Sequence, residues 1–471
     1  MYSLNGDLPL NPASLESSLH KIDTNTSNPL GQVNKILHNH FACEFTGNMN
    51  IGCNLVIMPE GKPYCILSAG HIQPNDTQHW GSVSKQFTAA CITQLVGKGL
   101  LKWDDDIREV CPDLPEFRLN GEVQKVTVDD LLHMRSGLPD FYSLALISGN
   151  DPEKLENTDI LDLLNKHPGL IYAPGSQETY CNTNYTILAK ITENVAKNNH
   201  LLEEHETFRD FVRENVFLPH DMQARCTGDK ITSIRGFDDK QDCTTESPAF
   251  GSAGVIGTPE DMAKWNTALS NKELDPLIEL PKGTSMEPNK PTYCRGLIVT
   301  DLNDYRRIHH GGNISGFVTI YRRYENAESS KTFALFLATN YDNIKKAEDL
   351  ANEVANTLAG TRIEGIEHME RTERLMEGLQ KEAKEFEGTY LCKEFNAPWD
   401  VQIKEDAKNV WVVHMSPAGN TSAASLSFSP MSDSDGNLIF QSSYAGQIQK
   451  NTEGFVYIGG KIAPVHFEKI N

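Results

Sequence analysis

The chain has 471 residues, 39% of them hydrophobic and 23% charged, a foldable composition too long for one ordinary domain. With 64 acidic against 43 basic residues the net charge is −21, which argues against nucleic acid or an anionic membrane surface as a partner. No apolar run reaches the roughly 18 residues of a membrane span, so none is expected.

The N-terminal stretch MYSLNGDLPLNPASLESS has neither the basic start nor the apolar stretch of a secretory signal, and a cytoplasmic location is expected. Residues 1–30 read as a polar arm. Gln32 to His40 has helical periodicity. Cys53 to Met58 and Tyr64 to Ala69 are apolar runs joined by Pro59-Glu60-Gly61-Lys62, a β-hairpin pattern. Ser84 to Leu101 reads as a helix with Phe87, Cys91 and Leu95 on one face, ended by Gly97 and Gly99. The acidic run Asp104-Asp105-Asp106 reads as a turn and helix start. Thr127 and Thr258 are expected N-caps, the second with Pro259 at the first helical position.

Tyr185 to Ala196 and Pro259 to Leu269 are further helices. Arg306 to His310, Phe317 to Tyr321 and Thr332 to Ala338 predict an antiparallel meander, and Asn343 to Leu358 a helix returning onto it. Residues 361–385 are charged and read as a helical connector. Beyond them Val401–Ile403, Val410–Val413, Leu426–Phe428, Leu438–Phe440 and Phe455–Ile458 predict a small up-and-down barrel or sandwich. The expected division is an arm over 1–30, a main domain over 31–360, the connector over 361–385 and an all-β domain over 386–471.

The ten cysteines are scattered, with no C-x-x-C pair and no His/Cys cluster at ligand spacing. They predict free thiols, no metal and no cofactor. Chemistry points instead to Ser82-Val83-Ser84-Lys85. Residues three apart share a helix face, so Lys85 can reach the Ser82 hydroxyl, which needs a base to become a nucleophile. A lysine serves if its surroundings depress its pKa. Spacing alone is a weak signal, because Ser18-Leu19-His20-Lys21 has it too.

Order and setting make the signal specific. Gly81 to Ala89, with Ser82-x-x-Lys85, resembles the first motif of the β-lactamase-related serine hydrolases. That superfamily includes class C β-lactamases, penicillin-binding DD-peptidases, D-aminopeptidases and related esterases. Leu131 to Leu138 resembles a segment these proteins carry after the nucleophile helix. Pro174-Gly175 followed by Tyr180-Cys181-Asn182 resembles the second motif. Gly251 to Gly254 before Thr258 to Met262 resembles another family stretch, and His310-Gly311-Gly312 with Ser315-Gly316-Phe317 the third motif.

The resemblance implies a mixed α/β (α+β) transpeptidase-like domain, with a central antiparallel sheet flanked by helices and an all-helical insertion. Glu387-Gly388-Thr389-Tyr390 resembles the opening strand of lipocalin-like barrels appended to some of these hydrolases. The implied roles are Ser82 as nucleophile, Lys85 and Tyr180 as general base and proton shuttle, and Asn182 positioning substrate and Lys85. His310, Gly312 and Asn313 would line the substrate site, with the Ser82 and Asn313 backbone N–H groups as oxyanion hole. His133 and Cys181 read as structural. The implied partner is a small molecule or peptide with a scissile amide or ester.

Two departures stand out. His310 occupies a position where β-lactamases and DD-peptidases commonly carry the lysine that holds a substrate carboxylate. A histidine near its ordinary pKa is only partly charged there, which favours D-amino-acid peptide, amide or ester hydrolysis over β-lactam hydrolysis. Trp80 is expected to narrow the pocket. The rival reading is a catalytically idle binding or filament-forming scaffold that kept the fold.

Overall fold

The computed structural model describes residues 29–42, 50–148, 150–227, 232–238, 242, 250–314, 316–326 and 332–364. Farther on it describes 388–392, 397–405, 411–418, 426–432, 438–442, 446–450, 454–458 and 465–469. The expected N-terminal arm and helical connector lie almost wholly outside these residues. The chain divides into two compact units, Met1–Trp103 with Tyr185–His368, and Asp104–Asn184 with Met369–Asn471.

The first unit is built on a seven-stranded antiparallel sheet. Its strands are β1 (Gly52–Pro59), β2 (Cys65–Gly70), β3 (Thr292–Tyr293), β4 (Ile298–Asp301), β5 (Tyr305–Ile314), β6 (Phe317–Asn326) and β7 (Phe333–Thr339), in the order β2-β1-β7-β6-β5-β4-β3. The expected hairpin and meander are both present. In β7 every residue of FALFLAT is buried, as suits a strand with neighbours on both sides and cover on both faces.

Helices α1 (Pro29–Ala42) and α5 (Ile344–Ala359) lie with one face of the sheet in a continuous apolar core. Val33 and Leu37 of α1 and Leu350, Ala351 and Val354 of α5 join Leu55, Val318, Ile320, Leu335 and Leu337 there. Asn343 caps α5 by accepting from Lys346 N, and Gly360 ends it at φ +73°.

Helix α2 (Lys85–Gly97) differs from its sequence expectation. The i, i+4 stripe of Phe87, Cys91 and Leu95 suggested one apolar face, yet all of its first nine residues are buried, polar ones included. It is an interior helix. Its polar groups find partners inside: Thr88 Oγ1 donates to Gly251 O at 2.9 Å, and Trp265 Nε1 donates to Gln86 Oε1 at 3.0 Å. Trp265 lies on α4 (Pro259–Ala268), which begins with Pro259 and the expected Thr258 cap, reciprocated by Asp261. Between α2 and α4 in sequence runs α3 (Asn182–Asn198).

In the second unit, Asp104–Asn184 carries short helices at Ile107–Val110, Val128–Leu132, Phe141–Ile147 and Asn157–Lys166. Asp106 caps the first, and Thr127 with Asp130 the second, as the sequence suggested. The insertion is not all-helical: Arg118–Leu119 and Glu122–Val123 form a small antiparallel ladder. From Gly388–Cys392 to Val465–Lys469, eight strands pair each with the next, and the first pairs with the last, Tyr390 opposite Lys469. That closure settles barrel over sandwich. Among the described residues no helix is long and apolar enough to cross a membrane.

Candidate active site

A 3₁₀ turn, Gly81–Ser84, leads directly into α2. Ser82 is half-buried while Lys85, one turn on, is wholly buried. Lys85 Nζ lies 3.0 Å from Ser82 Oγ and donates to Ser252 O at 2.7 Å. It also sits 5.8 Å from the centre of the Tyr185 ring. A hydroxyl at the surface is thus paired with an amine fixed in the interior. Such a pair can pass a proton from oxygen to nitrogen when the amine is uncharged. Ser84 has a structural task, accepting from Val255 N at 3.0 Å, and Trp80 N donates to Val255 O at 2.9 Å.

The turn is held against β5 and β6. Thr319 Oγ1 donates to Trp80 O at 2.8 Å. A Cβ on Gly312 would stand 2.0 Å from that same Trp80 oxygen, and one on Gly81 2.8 Å from Asn313 N. Only glycine permits this approach, and Gly81 also sits at φ +51°. The close approach brings the Ser82 and Asn313 backbones together. Asn313 is exposed and its side chain donates to Asp342 Oδ1 at 2.7 Å.

The third-motif histidine is not on a terminal strand. β5 pairs with β4 from Arg306 to His309, and that ladder stops one residue before His310. His310 through Ile314 therefore keep a partner, β6, on one side only. His310 is 3% exposed; Nε2 lies 3.1 Å from the Tyr293 hydroxyl and Nδ1 2.6 Å from Gly311 O. Burial, reinforced by the Lys85 charge, pushes its pKa down to about 3. The ring is neutral at neutral pH, which corrects the expectation of a partly charged histidine.

Trp80 also departs from expectation. Its ring is wholly buried between Phe87 and Phe336, 5.7 and 5.5 Å away, and lies over Gly257. It is a core anchor for the turn and narrows no pocket.

In the second unit, Tyr180 and Asn182 are half-buried beside a tightly bonded segment. Thr179 N donates to Met134 O at 2.8 Å and Cys181 N to Met134 Sδ at 3.3 Å. Asn182 N donates to Asp140 Oδ2 at 2.5 Å, and Ser136 Oγ donates to Asn184 Oδ1 at 2.7 Å. Met134 stands at φ +57°, and a Cβ on Gly137 would meet Tyr172 O at 2.2 Å. Leu131 to Leu138 and Tyr180 to Asn184, two separate stretches of sequence, thus lock onto one another. His133 is 1% exposed with Nδ1 3.2 Å from Asp129 O, and Cys181 is a buried thiol, so both serve as structure.

Within the first unit Ser82, Lys85, His310, Gly312 and Asn313 are gathered around one turn, whereas Tyr180 and Asn182 belong to the second unit. The sequence had pointed to the Gly251–Gly254 stretch without giving Ser252 O its task of accepting from Lys85. Tyr293, Thr319 and Asp342 carried no sequence signal, since each acts through a contact far away in the chain. Among the described residues no group of three or more His, Cys, Asp or Glu gathers in the manner of a metal site.

A helix-flanked antiparallel sheet with a serine–lysine pair at the start of an interior helix defines a transpeptidase-like fold. The chain belongs to the Beta-lactamase family, whose profile matches residues 44–359. It is 28% identical over 307 residues to a D-aminopeptidase of Brucella anthropi, covering 61% of this chain and 54% of that one. With a D-aminopeptidase of Brucella canis the identity is 25% over 381 residues, covering 76% and 64%. The chain thus spans less than two thirds of the length of these relatives. Among solved structures, the D-amino acid amidase of Ochrobactrum anthropi SV3 with D-phenylalanine superposes at TM-score 0.56 and 20% identity, covering 71% of this chain and 99% of that one. The octameric penicillin-binding protein homologue of Pyrococcus abyssi gives TM-score 0.55 and 17% identity, covering 97% and 100%. At these identities the two structures speak for the fold.

Proposed function

We propose that this chain is a serine hydrolase that works through an acyl-enzyme on amide bonds of D-amino-acid substrates, with peptides and esters as further acyl donors. The observation that carries the reading is Lys85 Nζ, wholly buried and 3.0 Å from the half-buried Ser82 hydroxyl. The named activity of the D-aminopeptidase relatives supports the choice of amide and of D configuration.

Ser82 Oγ attacks the carbonyl carbon while its proton passes to Lys85, with Tyr180 sharing the transfer to the leaving amine. The N–H groups of Ser82 and Asn313 receive the developing oxyanion. Asn182 positions the substrate amide and Lys85; Gly312 and His310 line the strand beside the substrate. The amine leaves, water attacks the Ser82 ester, and the acid departs as Ser82 regains its proton. The same proposal divides the chain into a catalytic domain over 31–360 and a lipocalin-like barrel over 386–471.

A fluorophosphonate probe and D-alanine amide test the reading. Wild-type protein is expected to be labelled and to release ammonia, and Ser82→Ala to lose both by about 10³-fold or more. Undiminished labelling in Ser82→Ala places the nucleophile elsewhere. No turnover by folded wild-type protein across amides and esters establishes the idle-scaffold alternative.

A further inference from the structure

On the α5 side of the sheet the apolar core gives out toward β4 and β5, and charged side chains take its place. Alternation along β5 puts Arg307 and His309 on the same side as Tyr305 of that core, and along β6 puts Arg322 and Tyr324 on the side of Val318 and Ile320. The ladder sets Arg307 opposite Tyr324 and His309 opposite Arg322, so the two arginines are diagonal neighbours. Arg322 is 3% exposed and reaches α5, donating to Asn352 Oδ1 at 2.6 Å and to Glu348. Arg307 is half-buried and lacks such support. Its Nε is shut off from solvent with no hydrogen-bond partner among the described residues, and so is the hydroxyl of the wholly buried Tyr324. That hydroxyl lies near enough to both guanidiniums to favour their charge, yet completes a hydrogen bond to neither.

The charges here do not balance. Two guanidiniums share one carboxylate, Glu348, the acidic group that bears on both. Burial, then the Arg307 and Arg322 charges, hold His309 well below its ordinary pKa, so it adds no charge at neutral pH. Burial and then the Arg322 charge lower Arg307 as well, but a guanidinium stays protonated. One positive charge remains, beside two idle donors. Such an arrangement is unfavourable unless an anion completes it.

We propose that Arg307, Arg322 and Tyr324 form a binding site for a small carboxylate, which takes the Arg307 Nε–H and the Tyr324 hydroxyl as donors and supplies the missing counter-charge. A carboxylate is planar and singly charged. It matches the guanidinium fork in shape and brings the cluster to neutrality, whereas a phosphate dianion overshoots. The rim is open to solvent, since the Glu348 side chain is 26% exposed. His310, the next residue after His309 on β5, alternates to the other side of the sheet, so this site is separate from Ser82 and does not rest on its role.

The probe is ¹³C-acetate, titrated into the full chain at neutral pH and constant ionic strength, with binding read by NMR. Arg307→Met keeps the stem and removes the charge. It is expected to weaken acetate binding by about tenfold or more, as the loss of a charge-assisted hydrogen bond does. Tyr324→Phe, which removes only the hydroxyl, is expected to weaken it less. Arg306→Met takes an equal charge from the opposite side of the same strand, where Arg306 donates to Asp301 Oδ1 at 2.8 Å, and is expected to leave acetate binding unchanged. Acetate is also expected to raise the urea midpoint of the wild-type protein above its value in equal chloride, and to leave that of Arg307→Met unmoved. The wild-type midpoint and Tyr324→Phe keep the test decisive if Arg307→Met fails to fold. Equal acetate binding by wild type and Arg307→Met overturns the proposal, as does tighter binding of inorganic phosphate than of acetate. No acetate binding by wild type overturns it too.

Discussion

The two faces of the β1–β7 sheet are made by the same strands and hold opposite kinds of interior. In β6, Val318 and Ile320 join the apolar core under α1 and α5, while Thr319 between them donates to Trp80 O and Tyr321 donates to Asn266 Oδ1 at 2.8 Å. In β1, Cys53, Leu55 and Ile57 face that core and Asn54 accepts from Ser68 Oγ at 2.5 Å. Alternation along each strand writes both interiors at once. One face is stabilised by area removed from water and needs only volume. The other buries Lys85, Gln86 and His310 at 3% exposure or less, each held by a directed partner. The apolar side should yield gradually to substitution. The polar side should fail at single contacts.

Substitutions at two neighbouring glycines make the sharpest test. Gly312→Ala drives a methyl into Trp80 O, which stands 2.0 Å from the Cβ position, with Thr319 Oγ1 at 2.4 Å. Neither neighbour is the loose end of a flexible chain, so a loss of about 4 kcal/mol or more is expected in urea unfolding. Gly311→Ala, whose nearest neighbour is 3.9 Å away, is expected to change stability by no more than about 1 kcal/mol. Equal effects at the two positions would remove the contrast between the faces.

On the apolar side, Leu337→Ala leaves a void in the fully buried core and is expected to cost about 2–5 kcal/mol. Probe labelling per folded molecule should be unchanged, because no polar contact is lost. A drop in labelling at constant folded fraction would show that the core sets the geometry of Ser82.

The smallest effect concerns acid. His79 is buried, with no hydrogen-bond partner for either ring nitrogen among the described residues, and burial lowers its pKa from 6.5 to about 4. Between those values the unfolded chain holds a proton that the folded chain does not. Stability contributed by the neutral ring is therefore present above pH 6.5 and is lost as pH falls toward 4, by about 1.4 kcal/mol per pH unit. Replacing His79 with Leu should flatten the dependence of unfolding free energy on pH between 6 and 5 by one proton. An unaltered slope would mean that the ring is already charged in the folded protein.

Much of the architecture was legible in the sequence because it is local. The hairpin turn at Pro59 to Lys62, the caps at Thr127 and Thr258, and the apolar runs of β6 and β7 depend on neighbours within a few residues. The barrel was less legible. Gly446–Lys450 reads GQIQK and Val465–Lys469 reads VHFEK, strands too short and too polar to signal themselves apart from their partners. At the candidate site, Ser82, Lys85 and the glycines could be found by motif. Their supports could not. Trp80 looked like a pocket residue, yet its ring belongs to the core and only its carbonyl serves the turn. His310 looked like a titrating group until Tyr293, 17 residues earlier, and Lys85 were brought beside it by the fold.

The β5–β6 ladder carries a consequence for inheritance. Pairing runs without a break from Tyr305 opposite Asn326 to Ile314 opposite Phe317, across a two-residue connection. Because side chains alternate, the side of the sheet that His310 occupies depends on whether the count of residues to that connection is odd or even. Insertions into the hairpin are thus not graded in severity by length. A one-residue insertion that shifts the register hands His310 to the α5 side and brings His309 in its place, while a two-residue shift restores parity and displaces only the position along the strand. Drift by indels in this part of the chain should leave pairs where single steps are missing.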